Sequence, residues 1–242
     1  TLLVDVAMNS TGSVVNNAVY IGNTLIDKTT RHTLTFGSNS SIVTNQFKIG
    51  TASARLSGSG SEIHTSGNIS DFQFDTSSFT IEAWVRWNSF STYTILFSNF
   101  DNDTGGWQWI IAPDDGGTFY LYLNGPTPSV SEIGLPNLNQ WYHYAVEGNG
   151  SFLKFFINGI QVGTDVSYDP LNLTYAGKDL YIGWDSFDIG HESDIWIDEI
   201  RVSKGIERYS ANFTPSINPF TTDINTVLLI SFDNYIPSSE TL

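Results

Sequence analysis

Residues 79–87 read FTIEAWVRW, and every second position along this stretch is apolar. Side chains alternate between the two faces of a β-strand, whereas a helix repeats every 3.6 residues. The stretch therefore predicts a strand with one face on a core and a second, mixed face that carries Thr80, Glu82, Trp84 and Arg86. The predicted core face consists of Phe79, Ile81, Ala83, Val85 and Trp87.

The same two-residue repeat recurs elsewhere in the chain. Residues 118–123 and 153–157 alternate in the same way, and the second run ends in Asn158-Gly159, a strong signal for a two-residue hairpin turn. Further strands are predicted at residues 141–146, 180–184, 195–202 and 227–232. Many short strands separated by Gly, Pro, Asn and Asp turns predict an all-β fold, an antiparallel two-sheet β-sandwich.

The composition supports this fold class and excludes several functions. Of the 242 residues, 40 % are hydrophobic and 14 % are charged, so the chain has enough apolar surface for a core and is not a disordered segment. Cysteine is absent, which excludes disulfides, thiolate metal sites and cysteine nucleophiles. A formal net charge of −15 would repel phosphate, so we expect neither nucleic acid nor an anionic membrane as a partner. No apolar run approaches the ~18 residues of a membrane span.

Domain organisation leaves one question open at the end of the chain. Residues 1–5 (TLLVD) resemble residues 227–233 (VLLISFD). We expect residues 1–225 to form one sandwich domain, and residues 226–242 to be either its closing strand or the start of a further repeat. Because the first residue is Thr1 rather than Met, we expect a piece of a longer protein.

Six motifs follow one another in the order found in a known family. They are residues 71–74 (DFQF), 79–85 (FTIEAWV), 139–146 (NQWYHYAV), 155–163 (FFINGIQVG), 180–183 (LYIG) and 197–203 (IDEIRVS). Together they resemble the laminin G-like, concanavalin A-like jelly-roll superfamily, especially the LamG-type domains of bacteriophage and marine-virus structural proteins. Residues 205–220 resemble the end of that viral subgroup, whereas residues 5–26 match no part of it. The resemblance implies a jelly-roll sandwich and leaves the function open, because the fold hosts lectins, adhesion modules, glucanases and structural domains.

Glucanases of this superfamily carry the pattern Glu-x-Asp-x-(x)-Glu on one strand. Here Glu192 and Asp194 share a face, but Trp196 takes the next position on that face. Asp198 is four residues beyond Asp194, too far along a strand for the about 5.5 Å separation of a retaining pair. His143 alternates with apolar neighbours and is expected to be a hydrogen-bonded core histidine rather than a base. We therefore expect a protein that is not an enzyme.

Acidic residues offer candidate cation sites. Asp198 and Glu199 are adjacent, so one of them must lie on the apolar side of the predicted strand. Either a bulge or a paired, buried carboxylate explains this, or a structural cation lies under Asp198. Asp101, Asp103 and Asp185 lie in Asp- and Gly-rich loops, where they either stabilise turns or hold calcium at the rim of the sandwich. Calcium is the cofactor that these oxygen ligands would suit, and the sequence does not require one.

Aromatic residues outside the predicted core are the candidates for carbohydrate binding, because sugar C–H faces stack on Trp and Tyr rings. Alternation or loop context assigns six residues to this set: Trp84, Trp107, Trp109, Tyr120, Tyr122 and Trp184. The alternative is that they pack within the sheets or under a neighbouring subunit.

These observations predict a non-enzymatic LamG-like module of a virion or phage structural protein, located on a virion surface or outside cells. Its expected partners are a host-surface glycan or receptor and other virion subunits, with a homo-oligomer as the expected assembly. Two alternatives remain: a purely structural assembly domain, and a glucanase-like glycoside hydrolase.

Overall fold

The computed structural model describes residues 25–90, 94–100, 107–112, 118–123, 129–130, 135–173, 178–184 and 193–233. Two antiparallel sheets pack face to face, which confirms the predicted fold class. In spatial order, the seven-stranded sheet contains β1 (Thr33–Phe36), β4 (Ile63–Ser66), β13 (Tyr181–Ile182), β6 (Thr94–Ser98), β7 (Trp107–Ala112), β8 (Thr118–Leu123) and β9 (Ser129–Val130).

The eight-stranded sheet faces it across the core. Its spatial order is β12 (Ile160–Ser167), β11 (Phe152–Ile157), β10 (Trp141–Gly148), β5 (Phe79–Ser89), β14 (Asp194–Lys204), β3 (Ser53–Ser57) and β2 (Ser40–Val43), and β15 (Thr226–Ile230) pairs with β14. Two short 3₁₀ turns, Ile69–Phe72 and Pro170–Leu173, are the helical elements of the described residues. Within those residues, none of the helical segments has the length and apolarity needed to cross a membrane.

The stretch FTIEAWVRW forms the first nine residues of β5, which lies between β10 and β14. Its alternation is as predicted, since Phe79, Ile81, Ala83, Val85 and Trp87 are all fully buried in the core. The indole N–H of Trp87 donates to the hydroxyl of Tyr144 over 2.9 Å, so even the polar atom of this large ring is satisfied inside the core.

The Asn158-Gly159 turn joins β11 to β12 as predicted. Asn158 and Gly159 have φ values of +50° and +76°, the left-handed pair that a two-residue type I′ turn needs. Ile157 and Ile160 face each other across the turn, which sets the register of the hairpin.

A β-bulge in β14 resolves the conflict between Asp198 and Glu199. The register against β5 shifts between Asp198 and Arg201, and Glu199 has a φ of +47°. One extra residue is thereby accommodated, so Ile197 and Ile200 both lie in the core while Asp198 and Glu199 are buried elsewhere.

The last described strand lies within this same sandwich. β15 pairs antiparallel with β14, and Ile230 also bridges to Asp27 near the start of the described chain. The Asp27 carboxylate accepts hydrogen bonds from the backbone N–H groups of Leu229 and His32, which fixes the two segments together. Residues 1–5, whose likeness to the β15 region suggested a repeat, lie outside the described residues.

Residues 205–220, here called the covering segment, cross the outer face of the eight-stranded sheet. The Phe220 N–H donates to Glu199 on β14, the Tyr209 N–H to Glu147 on β10, and the Phe213 N–H to the carbonyl of Gly159 beyond β11. The segment therefore spans four strands and closes one end of this face to solvent.

Candidate functional site

The outer face of the eight-stranded sheet has a closed end and an open end. Along β5, Thr80, Glu82 and Trp84 are buried, whereas Arg86 and Asn88 are partly exposed. The neighbouring strands β10 and β14 change in the same direction, from buried residues under the covering segment to half-buried Trp141 and Trp196. The two ends of this face therefore differ in their accessibility to a ligand.

Glu82 is the centre of a buried polar cluster at the closed end. One carboxylate oxygen accepts the Arg201 Nε–H over 2.7 Å, and the other lies 3.1 Å from His143 Nε2 and accepts the Tyr209 hydroxyl over 2.6 Å. Tyr209 stacks on Phe213 with ring centroids 3.5 Å apart. His143 is fully buried, as predicted for a core histidine.

The electrostatics of this cluster favour an ionised Glu82. Burial alone would raise the pKa of Glu82, but the hydrogen bond from His143 and the charge of Arg201 outweigh burial and lower it. Burial and the adjacent Glu82 carboxylate raise the pKa of Tyr209. Glu82 and Arg201 thus form an ion pair that is sealed beneath aromatic rings.

Asp198 and Glu199 accept hydrogen bonds from backbone segments. Asp198 Oδ2 accepts the N–H groups of Lys48 and Ile49 over 2.9 and 3.0 Å, and its Oδ1 accepts the N–H of Glu199. Burial raises the pKa of Asp198 to about 7, because amide donors offset only part of the desolvation. Both oxygens of Asp198 thus accept backbone N–H groups, which explains how the predicted strand buries this carboxylate.

The other predicted acids either have structural partners or lie outside the described residues. Asp194 pairs with Arg55 and accepts hydrogen bonds from Asn88 and Ser89. Asp101, Asp103, Asp185 and Glu192 fall in ranges the structure does not describe. Within the described ranges, no three His, Cys, Asp or Glu side chains are grouped so that they could hold a metal ion.

Three of the six aromatic candidates are buried, which corrects the expectation that they are accessible. Trp107 and Trp109 are 0 % and 1 % exposed, because their side of β7 faces the core rather than solvent. Trp84 is on the outer face as predicted, but Lys48 lies over its ring at 4.2 Å and its exposure is 6 %. Phe156, also on the outer face, is buried against Phe213.

Two of the remaining candidates are half-buried and keep some accessible surface. Tyr120 lies on β8 of the seven-stranded sheet, and Trp184 lies two residues after β13 of the same sheet. The backbone of Tyr122 on β8 pairs with Gln108 on β7, and the structure does not describe the Tyr122 side chain.

The open end carries a set of residues that sequence reasoning missed. Trp141, Arg86, Trp196 and Arg55 are directly paired across β10, β5, β14 and β3, and all four are half-buried. We call this set the Arg–Trp row. The guanidinium carbons of Arg55 and Arg86 lie 4.4 and 4.6 Å from the ring centroid of Trp196. Alternation correctly placed Arg86 away from the core, but the four residues come from distant segments and only strand register unites them.

Comparison with known proteins supports the fold. A model of the family described as the concanavalin A-like lectin/glucanases superfamily matches residues 58–206. The enzymatically active domain of tailspike protein 2 from bacteriophage CBA120 is similar with a TM-score of 0.64 and 14 % identity, covering 90 % of this chain and 35 % of that one. No curated protein matches the sequence.

Two further structures are similar over most of this chain. Domain 4 of AbnA, an extracellular arabinanase from Geobacillus stearothermophilus solved in complex with arabinotriose, has a TM-score of 0.57 and 21 % identity, covering 76 % of this chain and 88 % of that one. A structure of botulinum neurotoxin type C, whose cell entry is dependent upon interaction with two ganglioside molecules, has a TM-score of 0.55 and 17 % identity, covering 80 % of this chain and 46 % of that one. This chain thus spans less than half of the tailspike and neurotoxin chains, and the likeness at these identities is one of fold.

Proposed function

The chain belongs to the concanavalin A-like lectin/glucanases superfamily, and we propose that it acts as a non-catalytic module that binds glycans on a host surface. We further propose that it serves in a virion or phage structural protein, on the virion surface or otherwise outside cells. The observation that carries the proposal is the division of the eight-stranded sheet into a sealed, ion-paired end and an open, aromatic end.

The sealed end argues against hydrolysis. A glycosidase needs two carboxyl groups about 5–9 Å apart that flank an accessible sugar. At this end Glu82 is enclosed by Arg201, His143 and Tyr209, and Asp198 is occupied by backbone amides. No substrate reaches these groups while the covering segment is in place.

The half-buried aromatic side chains argue for binding. Trp141 at the open end, Tyr120 in the other sheet and Trp184 just after β13 present ring surface of the kind on which sugars stack. One similar sandwich was solved in complex with arabinotriose, and another belongs to a neurotoxin whose cell entry depends upon gangliosides. Both are consistent with sugar binding on this scaffold. Calcium at the rim loops, with Asp101, Asp103 or Asp185, is an optional element of this proposal.

A second candidate function is a purely structural assembly domain. Ile217 and Ile224 are 79 % and 99 % exposed in and just beyond the covering segment, and exposed isoleucines are suited to contact with another subunit. In that case the chain would form a homo-oligomer or pack against other virion subunits, and it would bind no sugar.

The deciding experiment is binding of the purified chain to an array of host-type glycans and bacterial envelope polysaccharides, with calcium and with EDTA. We expect specific binding that Trp141→Ala at the open end weakens, together with no release of reducing sugar. Absence of glycan binding under both conditions would leave the assembly function, and release of reducing sugar would establish a hydrolase.

A further inference from the structure

The arginines of this chain differ in one respect that packing does not explain. All five lie in described ranges, and Arg31, Arg55, Arg201 and Arg208 each pair with a carboxylate. Among the described residues, Arg86 has no such partner. In a chain with 25 acidic and 10 basic residues, a guanidinium without an acidic neighbour is unexpected.

The charge at the Arg–Trp row is therefore concentrated on Arg86. Arg55 pairs with Asp194 and donates to the carbonyls of Leu56 and Ile195, so its charge is compensated and its donors are used. Burial and, to a smaller extent, the nearby charge of Arg55 lower the pKa of Arg86. A guanidinium stays charged under such conditions, so its N–H donors remain available.

The row also holds Arg86 in place. Trp196 lies between Arg55 and Arg86, and each guanidinium rests on its indole ring at cation–π distance. The residues sit on adjacent strands in direct register, not on loops. A positioned, planar guanidinium loses little further conformational freedom when it binds a carboxylate with two parallel hydrogen bonds.

We propose that the Arg–Trp row is a binding site for an acidic saccharide, with the Arg86 guanidinium holding a sugar carboxylate, Trp196 positioning that guanidinium, and Trp141 contacting the sugar ring. The inference rests on the proposed glycan-binding function and adds the chemical class of the ligand. Charge complementarity selects this occupant at short range, since Arg86 has no carboxylate partner among the described residues. The net charge of −15 repels anions over longer distances, so binding of an acidic saccharide should depend on direct contact with Arg86. Neutral sugars would leave the charge of Arg86 unpaired.

The test is isothermal titration of the whole chain with two acidic probes, 3′-sialyllactose and trigalacturonic acid. The methyl ester of 3′-sialyllactose and the methyl ester of trigalacturonic acid are the matched neutral probes, and lactose is a further neutral control. We expect at least one acidic probe to bind at least ten-fold more tightly than its neutral counterpart, because a charge-assisted bidentate pair is lost in the latter. The probe that binds distinguishes a terminal sialate from a uronate.

Three variants locate the effect. Arg86→Gln should weaken acidic-probe binding at least ten-fold, and Arg86→Lys should recover part of it because the charge is kept and the planar fork is lost. Lys204→Gln makes the same change in net charge at the opposite end of β14, where Lys204 pairs with Phe79 and its ammonium donates to the Ser70 carbonyl. Its affinity should stay within two-fold of the wild type. Thermal unfolding verifies that each variant is folded, and the comparison of acid with ester on the wild-type chain needs no variant.

The outcomes separate the two proposals. Equal binding of acid and ester, or equal losses in Arg86→Gln and Lys204→Gln, overturns the acidic-saccharide site while leaving glycan binding intact. Neutral glycans that bind while both acidic probes fail do the same. Failure of every glycan, neutral or acidic, overturns the proposed function itself.

Discussion

Replacing Glu82 by Gln tests whether the sealed end of the sheet is held by a charge pair. Glu82 is fully buried, and its two oxygens receive bonds from Arg201, His143 and Tyr209. Glutamine keeps the shape but supplies one acceptor oxygen, and its amide N–H groups would face donors. Arg201, only 9 % exposed, would then lack a counter-ion.

The expected magnitude follows from that loss. Removing one partner of a buried ion pair costs about 3–5 kcal/mol, because the remaining charge stays desolvated. Glu147→Gln is the matched control, since Glu147 is also fully buried, on the adjacent strand β10. Burial raises the pKa of Glu147 to about 7, so at pH 6 its carboxyl is mostly neutral already. Its Oε1 accepts from the Thr80 hydroxyl and the Tyr209 N–H, bonds that a glutamine oxygen keeps.

The assay is equilibrium unfolding in urea at pH 6, followed by tryptophan fluorescence and far-UV circular dichroism. We expect Glu82→Gln to lower the free energy of unfolding by about 3–5 kcal/mol and Glu147→Gln by under about 1 kcal/mol, with similar m-values. Equal costs for the two variants would refute the assignment of Glu82 as the charged centre of the sheet face and Glu147 as a neutral neighbour.

Three further predictions concern the same sheet. Burial raises the pKa values of Asp198 and Glu147 to about 7, so near pH 6 the folded chain keeps protons that the unfolded chain has lost. The free energy of unfolding should therefore fall by about 1 kcal/mol per group between pH 6 and pH 8. This decrease should be smaller in Glu147→Gln, which has lost one of the two groups. Gly159→Ala should destabilise the chain more than Gly58→Ala: both glycines have positive φ, but a Cβ at Gly159 would lie 2.0 Å from the Phe213 carbonyl oxygen, whereas one at Gly58 meets nothing within 4 Å. Phe213→Ala should lower the free energy of unfolding by about 2 kcal/mol and increase proteolysis within residues 205–220, because Phe213 stacks on Tyr209. Unchanged proteolysis would contradict the role of the Phe213 ring in packing the covering segment against the sheet.

Much of the fold could be predicted because alternation is a local property. The stretch from Phe79 to Trp87 places its core face correctly, and Asn158-Gly159 forms the turn that its residues require. The adjacent acids Asp198 and Glu199 signalled a bulge, because no regular strand buries both beside apolar neighbours.

The candidate site was harder to predict because accessibility is not local. Alternation places Trp84 and Phe156 away from the core, yet Lys48 and Phe213 cover them from segments far along the chain. A strand also has two faces, and in β7 both hold large apolar residues, so the pattern did not show that Trp107 lies on the core side. Only tertiary structure decides which outer-face aromatics reach solvent.

Arg201 and Arg86 show how one sheet face supports two roles. Both side chains project from the outer face of adjacent strands, β14 and β5. Arg201 lies beneath the covering segment, where water is excluded and a buried guanidinium requires a carboxylate partner. Glu82 is that partner. Arg86 lies beyond the reach of that segment, where water and an indole ring suffice for a cation without an acidic partner. The covering segment therefore separates the two ends of the sheet face. Under it Arg201 pairs with Glu82, and at the end that it leaves open Arg86 has no carboxylate partner among the described residues, which is the basis of the ligand site proposed there.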